Sequence, residues 1–167
     1  MSIQRFLTVS VVALAIAGCA TKRDRLPPEP MGTPGGSQTD NGPRAAVPGS
    51  QEDFVASTAS DRIFFNTDRF DVDPEDMEVL RSQATWLQRY PNVRVTLEGH
   101  CDERGTRDYN LALGERRANA AKNYLASLGI SPSRISTISY GKERPDAVGS
   151  NEEAWARNRR AVSVTVR

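Results

Sequence analysis

The sequence predicts a two-layer α/β domain, helices packed on a small four-stranded sheet, carried at the end of a disordered tether. Three observations predict it. Short runs with an apolar residue at every second position alternate along the chain with longer runs whose apolar residues recur at steps of three and four. Caps, prolines and glycines stand where such elements should stop and start. And residues 26–50 hold six prolines and five glycines with almost no large apolar side chain, a composition unlike anything that follows.

The elements can be taken in order. Arg5 precedes the apolar run from Phe6 to Gly18, too short for the roughly 20 residues that span a bilayer core. Residues 1–18 are therefore expected to be a secretion signal and not a transmembrane helix. The order Ile16-Ala17-Gly18-Cys19 resembles the bacterial lipobox, which implies cleavage before Cys19, a diacylglycerol on its thiol and an acyl chain on its new amine. Ala20, and not aspartate, follows the cysteine, and by its resemblance to enterobacterial lipoprotein sorting this order implies an outer-membrane address with the domain facing the periplasm. Residues 19–55 read as the lipidated cysteine and its tether, since such a stretch cannot bury enough surface to offset its chain entropy. Its r.m.s. span would be roughly 30 to 35 Å, longer where proline-rich.

Residues 56–167 are enough for one small domain. Ile63-Phe64-Phe65 reads as a short strand, and Asp73-Pro74-Glu75-Asp76 as the cap, first-turn proline and acids of a helix start. Met77, Leu80, Ala84 and Leu87 continue that helix until Tyr90-Pro91. Val93, Val95 and Leu97 alternate with Arg94, Thr96 and Glu98 as a half-buried strand. A second helix is expected from about Arg107 to Leu128, with Leu111, Gly114, Ala118, Ala121, Leu125 and Leu128 as its inner stripe and Gly129 as its stop. Leu113, Arg117 and Ala120 lie beside that stripe. Ile135 to Tyr140 reads as a third strand, Ser150 to Glu153 as the capping box of a short helix, and Ala161 to Val166 as a fourth strand. The strand order is not readable from these patterns.

Charge bounds the partners. With the signal removed the chain would carry 21 residues of each sign, so no basic field for nucleic acid exists. With Cys19 lipidated, Cys101 has no partner for a disulfide within the chain. The adjacent His100 and Cys101 invite a thiol-hydrolase or metal reading. Neighbours on an extended strand point to opposite faces, however, and one histidine with one thiol makes a poor zinc set. No catalytic residue and no metal are expected, and the chain is not expected to be an enzyme.

The stretch Glu98 to Ala118 is the most informative. It sets the carboxylate of Asp102 at a strand end and the guanidinium of Arg117 in the helix that follows, where both could meet one zwitterionic ligand. A plain surface ion pair is the alternative. Gly99-His100-Cys101-Asp102-x-x-Gly105, followed by Asn110-Leu111-x-Leu113-Gly114-x-x-Arg117-Ala118, resembles the signature of the OmpA-like peptidoglycan-binding family over residues 60–167. Further matches at Ser139-Tyr140-Gly141-Lys142-Glu143 and Asn158-Arg159-Arg160-Ala161-Val162 resemble its lipid-anchored branch. The resemblance implies a mixed sheet, no cofactor beyond the covalent lipid, and a non-catalytic grip on the meso-diaminopimelate of the peptidoglycan stem peptide. It also implies the residues: Asp102 and Arg117 hold the zwitterion, and Phe65, Asn66, Thr67, Asp68, Arg104, Asn110 and Leu113 complete the pocket. For the lipid-anchored branch it further implies TolB and the Tol machinery as partners, with a role in envelope integrity and in outer-membrane constriction at division. Asp68 as a mere turn cap, and Asn158-Arg159-Arg160 as a solvated helix end, remain open alternatives. Two positions depart from the family pattern, Cys101 for threonine or alanine and Gly114 for serine; both are small, and the backbone path is expected to survive them.

Overall fold

A computed structural model describes residues 46–166. The expected signal, the lipobox with Cys19, and most of the tether lie outside the described residues. The elements run α1 (Gln51–Ser57), β1 (Arg62–Phe64), α2 (Pro74–Arg89), β2 (Arg94–His100), α3 (Arg107–Ser127), a 3-10 turn at Pro132–Arg134, β3 (Ile135–Gly141), α4 (Glu152–Asn158) and β4 (Arg160–Val166). The sheet order is β1-β4-β2-β3. β4 is antiparallel to both its neighbours and β2 is parallel to β3, so the sheet is mixed, and α3 forms the crossover between the parallel pair.

The alternation in β2 does what its pattern predicts. Val95 and Leu97 are turned into the core with Leu80, Ala84 and Leu87 of α2 and Ala118, Ala121 and Leu125 of α3. At Gly99 and Gly114 the two layers meet backbone on backbone. A Cβ placed on Gly99 would stand 1.8 Å from the Gly114 carbonyl oxygen, and one on Gly114 would stand 2.3 Å from the Ser139 hydroxyl. Gly114 is therefore a contact point that holds α3 against β2. The expected stripe of α3 needs correction to match. Its buried residues are Asn110, Leu113, Gly114, Arg117, Ala118, Ala121 and Leu125, with Leu111 and Leu128 only half-buried. The line of closest contact is rotated toward Leu113 and Arg117 because the glycine pair draws that side of the helix inward.

Two local differences from the sequence reading have plain causes. Residues 51–57, assigned by composition mostly to the tether, form α1: Ser50 accepts from the Asp53 amide as N-cap. Phe54, 0% exposed, packs edge-on against Trp86 with ring centroids 5.0 Å apart. β1 pairs only three residues of β4, which leaves β4 open further along, and the Gln51 side chain fills that gap by accepting from the Thr165 amide and donating to the Ser163 carbonyl. Composition averaged over a window cannot register one aromatic and one amide placed so well. At α4 the cap is Asn151, which accepts from the Ala154 amide, one residue beyond the expected Ser150.

Candidate functional site

β2 ends in a bulge, its register with β3 shifting between Gly99 and His100, and the Cys101 amide then donates to the Gly141 carbonyl. That re-aims residues 101–106 across the sheet's end, toward the start of α3, where Thr106 caps the helix by accepting from the Tyr109 amide. Facing them is the loop after β1, residues 66–71. Between these segments lies a cleft of about 270 Å³. Thr67, Asp68, Asp102, Arg104, Asn110, Leu113 and Arg117 line it, all seven of them expected from the sequence.

The remaining two expected residues stand behind the wall. Phe65 is buried, and its ring lies 5.2 Å from the Arg117 guanidinium carbon; Phe65 and Asn66 border a neighbouring cleft shared with Asp73, Asp76 and Arg159. Asn66 nevertheless contributes a backbone carbonyl that accepts from Arg117 Nη2 at 3.1 Å.

Arg117 is the structural surprise. It is 0% exposed, and besides Asn66 it donates from Nε to the Arg69 carbonyl and from Nη1 to the His100 carbonyl, both at 2.9 Å. One guanidinium thus ties the 66–71 loop to the end of β2 through α3. Burial pushes its pKa down from the ordinary arginine value, but a guanidinium remains a cation at neutral pH. Of its five N–H donors, two are left beyond the three carbonyls, beside the Cys101 thiol. Arg117 is thus first the cross-brace of the cleft and only second a wall of it.

Asp102 does not pair with Arg117 as a surface ion pair either. Its Oδ2 accepts from Arg104 Nη2 at 2.7 Å and from Arg159 Nη1 at 3.5 Å, while its Oδ1 accepts from the Arg104 Nε and backbone amide. Burial pushes the Asp102 carboxyl up, but the Arg104 and Arg159 hydrogen bonds outweigh it and hold the group below the usual carboxylate range. Arg104 is stacked over Trp155 at 4.3 Å and donates to the Thr67 hydroxyl, so it reaches across the cleft mouth. Asn110 gives both its amide hydrogens to loop carbonyls, those of Arg104 and Thr106, and so shapes the 102–106 turn from beneath.

Sequence reasoning missed four residues. Tyr109 lines the cleft and donates its hydroxyl to Asp68, which sits in the left-handed region at φ 55°. Gly105 and Cys101 complete the lining. Arg159 is no solvated helix end: nearly buried, it donates to the Phe65 carbonyl, to Asp102 and to Glu152. The signal for it was an arginine pair placed where a helix runs straight into an alternating strand.

The His100-Cys101 step has no nucleophile. Burial pushes the Cys101 thiol up to about 11, so it is protonated at neutral pH, and it donates to the Asn110 carbonyl. His100 is buried on the other side, its pKa lowered to about 4 by burial and then by Arg160.

The geometry can be set beside known proteins. The OmpA family model matches residues 64–159. The peptidoglycan-associated lipoprotein of Agrobacterium fabrum is 50% identical over 153 residues, 92% of this chain and 82% of that protein. That of Pseudomonas aeruginosa is 44% identical over 166 residues, 96% and 97% of the two chains. Among solved structures, the peptidoglycan-associated lipoprotein of Burkholderia pseudomallei superposes with a TM-score of 0.63 at 38% identity, covering 65% of this chain and 92% of that one. The C-terminal domain of Helicobacter pylori MotB shares the fold, with a TM-score of 0.60 at 22% identity over 64% of this chain and 84% of its own.

Proposed function

The chain belongs to the OmpA family, among its peptidoglycan-associated lipoproteins, and from that premise we propose that it ties the outer membrane to the wall by a non-covalent grip on the meso-diaminopimelate of the stem peptide. The observation that carries this reading is the Asp102–Arg104 pair in the cleft. A carboxylate held ionised and a guanidinium that reaches over it together form the mirror of a zwitterion. A ligand bearing an ammonium and a carboxylate on one carbon replaces each half with its own opposite charge: ammonium to Asp102 and Asp68, carboxylate to the Arg104 fork and to the two remaining N–H groups of Arg117. Leu113 and Tyr109 supply the walls for the methylene stem. Exchange of this kind leaves no buried charge unpaired, which is the costly outcome in such a site.

In this reading Cys19 carries the lipid, the tether gives reach, and the domain binds without cleaving. TolB and the Tol machinery are the protein partners, TolB and the wall being alternatives for one surface, and the pairing serves envelope integrity and membrane constriction at division. The near full-length match to relatives named as peptidoglycan-associated lipoproteins supports the lipoprotein part of this account. A sedimentation assay with purified peptidoglycan tests it. The chain should pellet with the wall, release no soluble fragments, and be displaced by TolB. Failure to pellet, or release of fragments, would overturn the reading.

A further inference from the structure

Beside Phe70 of the 66–71 loop lies a further depression of about 260 Å³, lined by Phe70, Arg116, Asn119, Ala120 and Asn123. We propose that it is a platform for the N-acetylated sugar backbone of peptidoglycan, an inference that rests on the wall-binding reading above and extends it from the peptide to the glycan.

Phe70 is 44% exposed, a large apolar ring presented to solvent beside polar side chains. The preceding residue's carbonyl accepts from the buried Arg117, and the Arg116 guanidinium lies over one face of the Phe70 ring, 5.8 Å from its centroid, which leaves the other face for a ligand. Residues 116, 119, 120 and 123 stand at steps of three, four and seven on α3 and so form one helical face. Ala120, the smallest of them, leaves the floor of the depression open beside the ring. Among the described residues the side-chain amides of Asn119 and Asn123 have no hydrogen-bond partner, so both are available to a ligand. An apolar ring face next to two carboxamides and a guanidinium is the complement of a pyranose, which shows C–H groups on its face and hydroxyl and acetamido groups at its edge. A charged or purely apolar partner would use only half of these groups.

The spacing agrees. Asp68 of the peptide cleft and Phe70 of the platform are two residues apart, at most about 7 Å along the chain. Two residues of stem peptide separate the diamino acid from the sugar, an extended reach of about 10 Å including the linking group. One muropeptide would straddle the 66–71 loop, with its diamino acid in the cleft and its sugar on Phe70.

Nuclear magnetic resonance on the full chain in detergent, with three probes, tests the proposal: peptide-free glycan strands, stem peptide alone, and the sugar-linked peptide. Glycan strands should shift the resonances of Phe70, Asn119 and Asn123, and the sugar should tighten the stem peptide by roughly 3- to 10-fold. Phe70→Ala should abolish both effects while keeping the affinity for peptide alone, and Phe70→Tyr, which retains the ring, should keep them. No shift at these three residues, or shifts that persist in Phe70→Ala, would overturn the platform. If the glycan binds there and the peptide binds nowhere, the platform stands and the stem-peptide reading fails.

Discussion

Replacing Arg117 with alanine separates the two roles that one residue plays. The structure shows three buried carbonyls, those of Asn66, Arg69 and His100, each served by this guanidinium at 2.9 to 3.1 Å. Leaving a buried acceptor unsatisfied costs about 1–3 kcal/mol, so even with water entering the space the variant should lose at least ~3 kcal/mol. A domain of this size shifts its melting point by roughly 4 °C per kcal/mol, which places the expected fall at about 12 °C or more. Because the same bonds hold the 66–71 loop against β2, stem-peptide affinity should fall with stability. Asp102→Asn provides the contrast. It keeps the shape of the turn and leaves Arg159 with Glu152 and the Phe65 carbonyl, so it should cost about 1–2 kcal/mol while losing most of the binding. Thermal melting and calorimetry on the parent and both variants decide the matter. An Arg117→Ala chain that melts within 2 °C of the parent yet no longer binds would refute the cross-brace and restore Arg117 as a ligand-facing fork.

Three further outcomes are expected. His100 titrates near 6.5 when unfolded and at about 4 in the fold, so the unfolded chain binds the extra proton first; stability should be full above pH 6.5 and should fall by about 3 kcal/mol as pH drops toward 4. His100→Leu should flatten that window in denaturant melts, and a parent already flat there would contradict the assignment. Gly99→Ala drives a methyl to 1.8 Å from the Gly114 carbonyl oxygen and should cost about 3 kcal/mol or more, whereas Gly114→Ala meets a Ser139 hydroxyl that can rotate away and the Gly99 carbonyl oxygen at 2.9 Å, and should cost less; equal melting points would deny the close approach. Cys19→Ser removes the thiol that would carry the diacylglycerol, and because stable anchoring takes more than one acyl chain the variant should leave the membrane fraction; fractionation that finds it lipid-labelled in the outer membrane would refute the lipobox reading.

The sequence made the fold legible where side chains repeat. Val93, Val95 and Leu97 announced a half-buried strand, and the steps of three and four from Gly114 to Leu125 announced α3, because burial on one face imposes those periods. It was not legible where one residue acts alone. Phe54 and Gln51 make α1 part of the domain through a single ring and a single amide, which no average over a proline-rich window reveals. The cleft was legible through resemblance, which brought Thr67, Asp68, Asp102, Arg104, Asn110, Leu113 and Arg117 to one place. What resemblance did not convey was division of labour. Arginine is read by default as a surface charge, yet Arg117 and Arg134 spend their donors on backbone carbonyls between elements, and Arg159 divides its own between the Phe65 carbonyl and the carboxylates of Asp102 and Glu152, a use that depends on the path of loops not yet folded.

Calorimetric titration of the chain with three stem peptides, ending in diaminopimelate, in lysine, and in diaminopimelate with its side-chain carboxyl amidated, tests the zwitterion grip most directly. Lysine has no carboxylate for Arg104, and the amide carries no charge. Each should lose a charge-assisted hydrogen-bond set worth roughly 1.5–3 kcal/mol, a fall in affinity of about 10- to 150-fold relative to diaminopimelate. Equal affinities for all three would contradict the account.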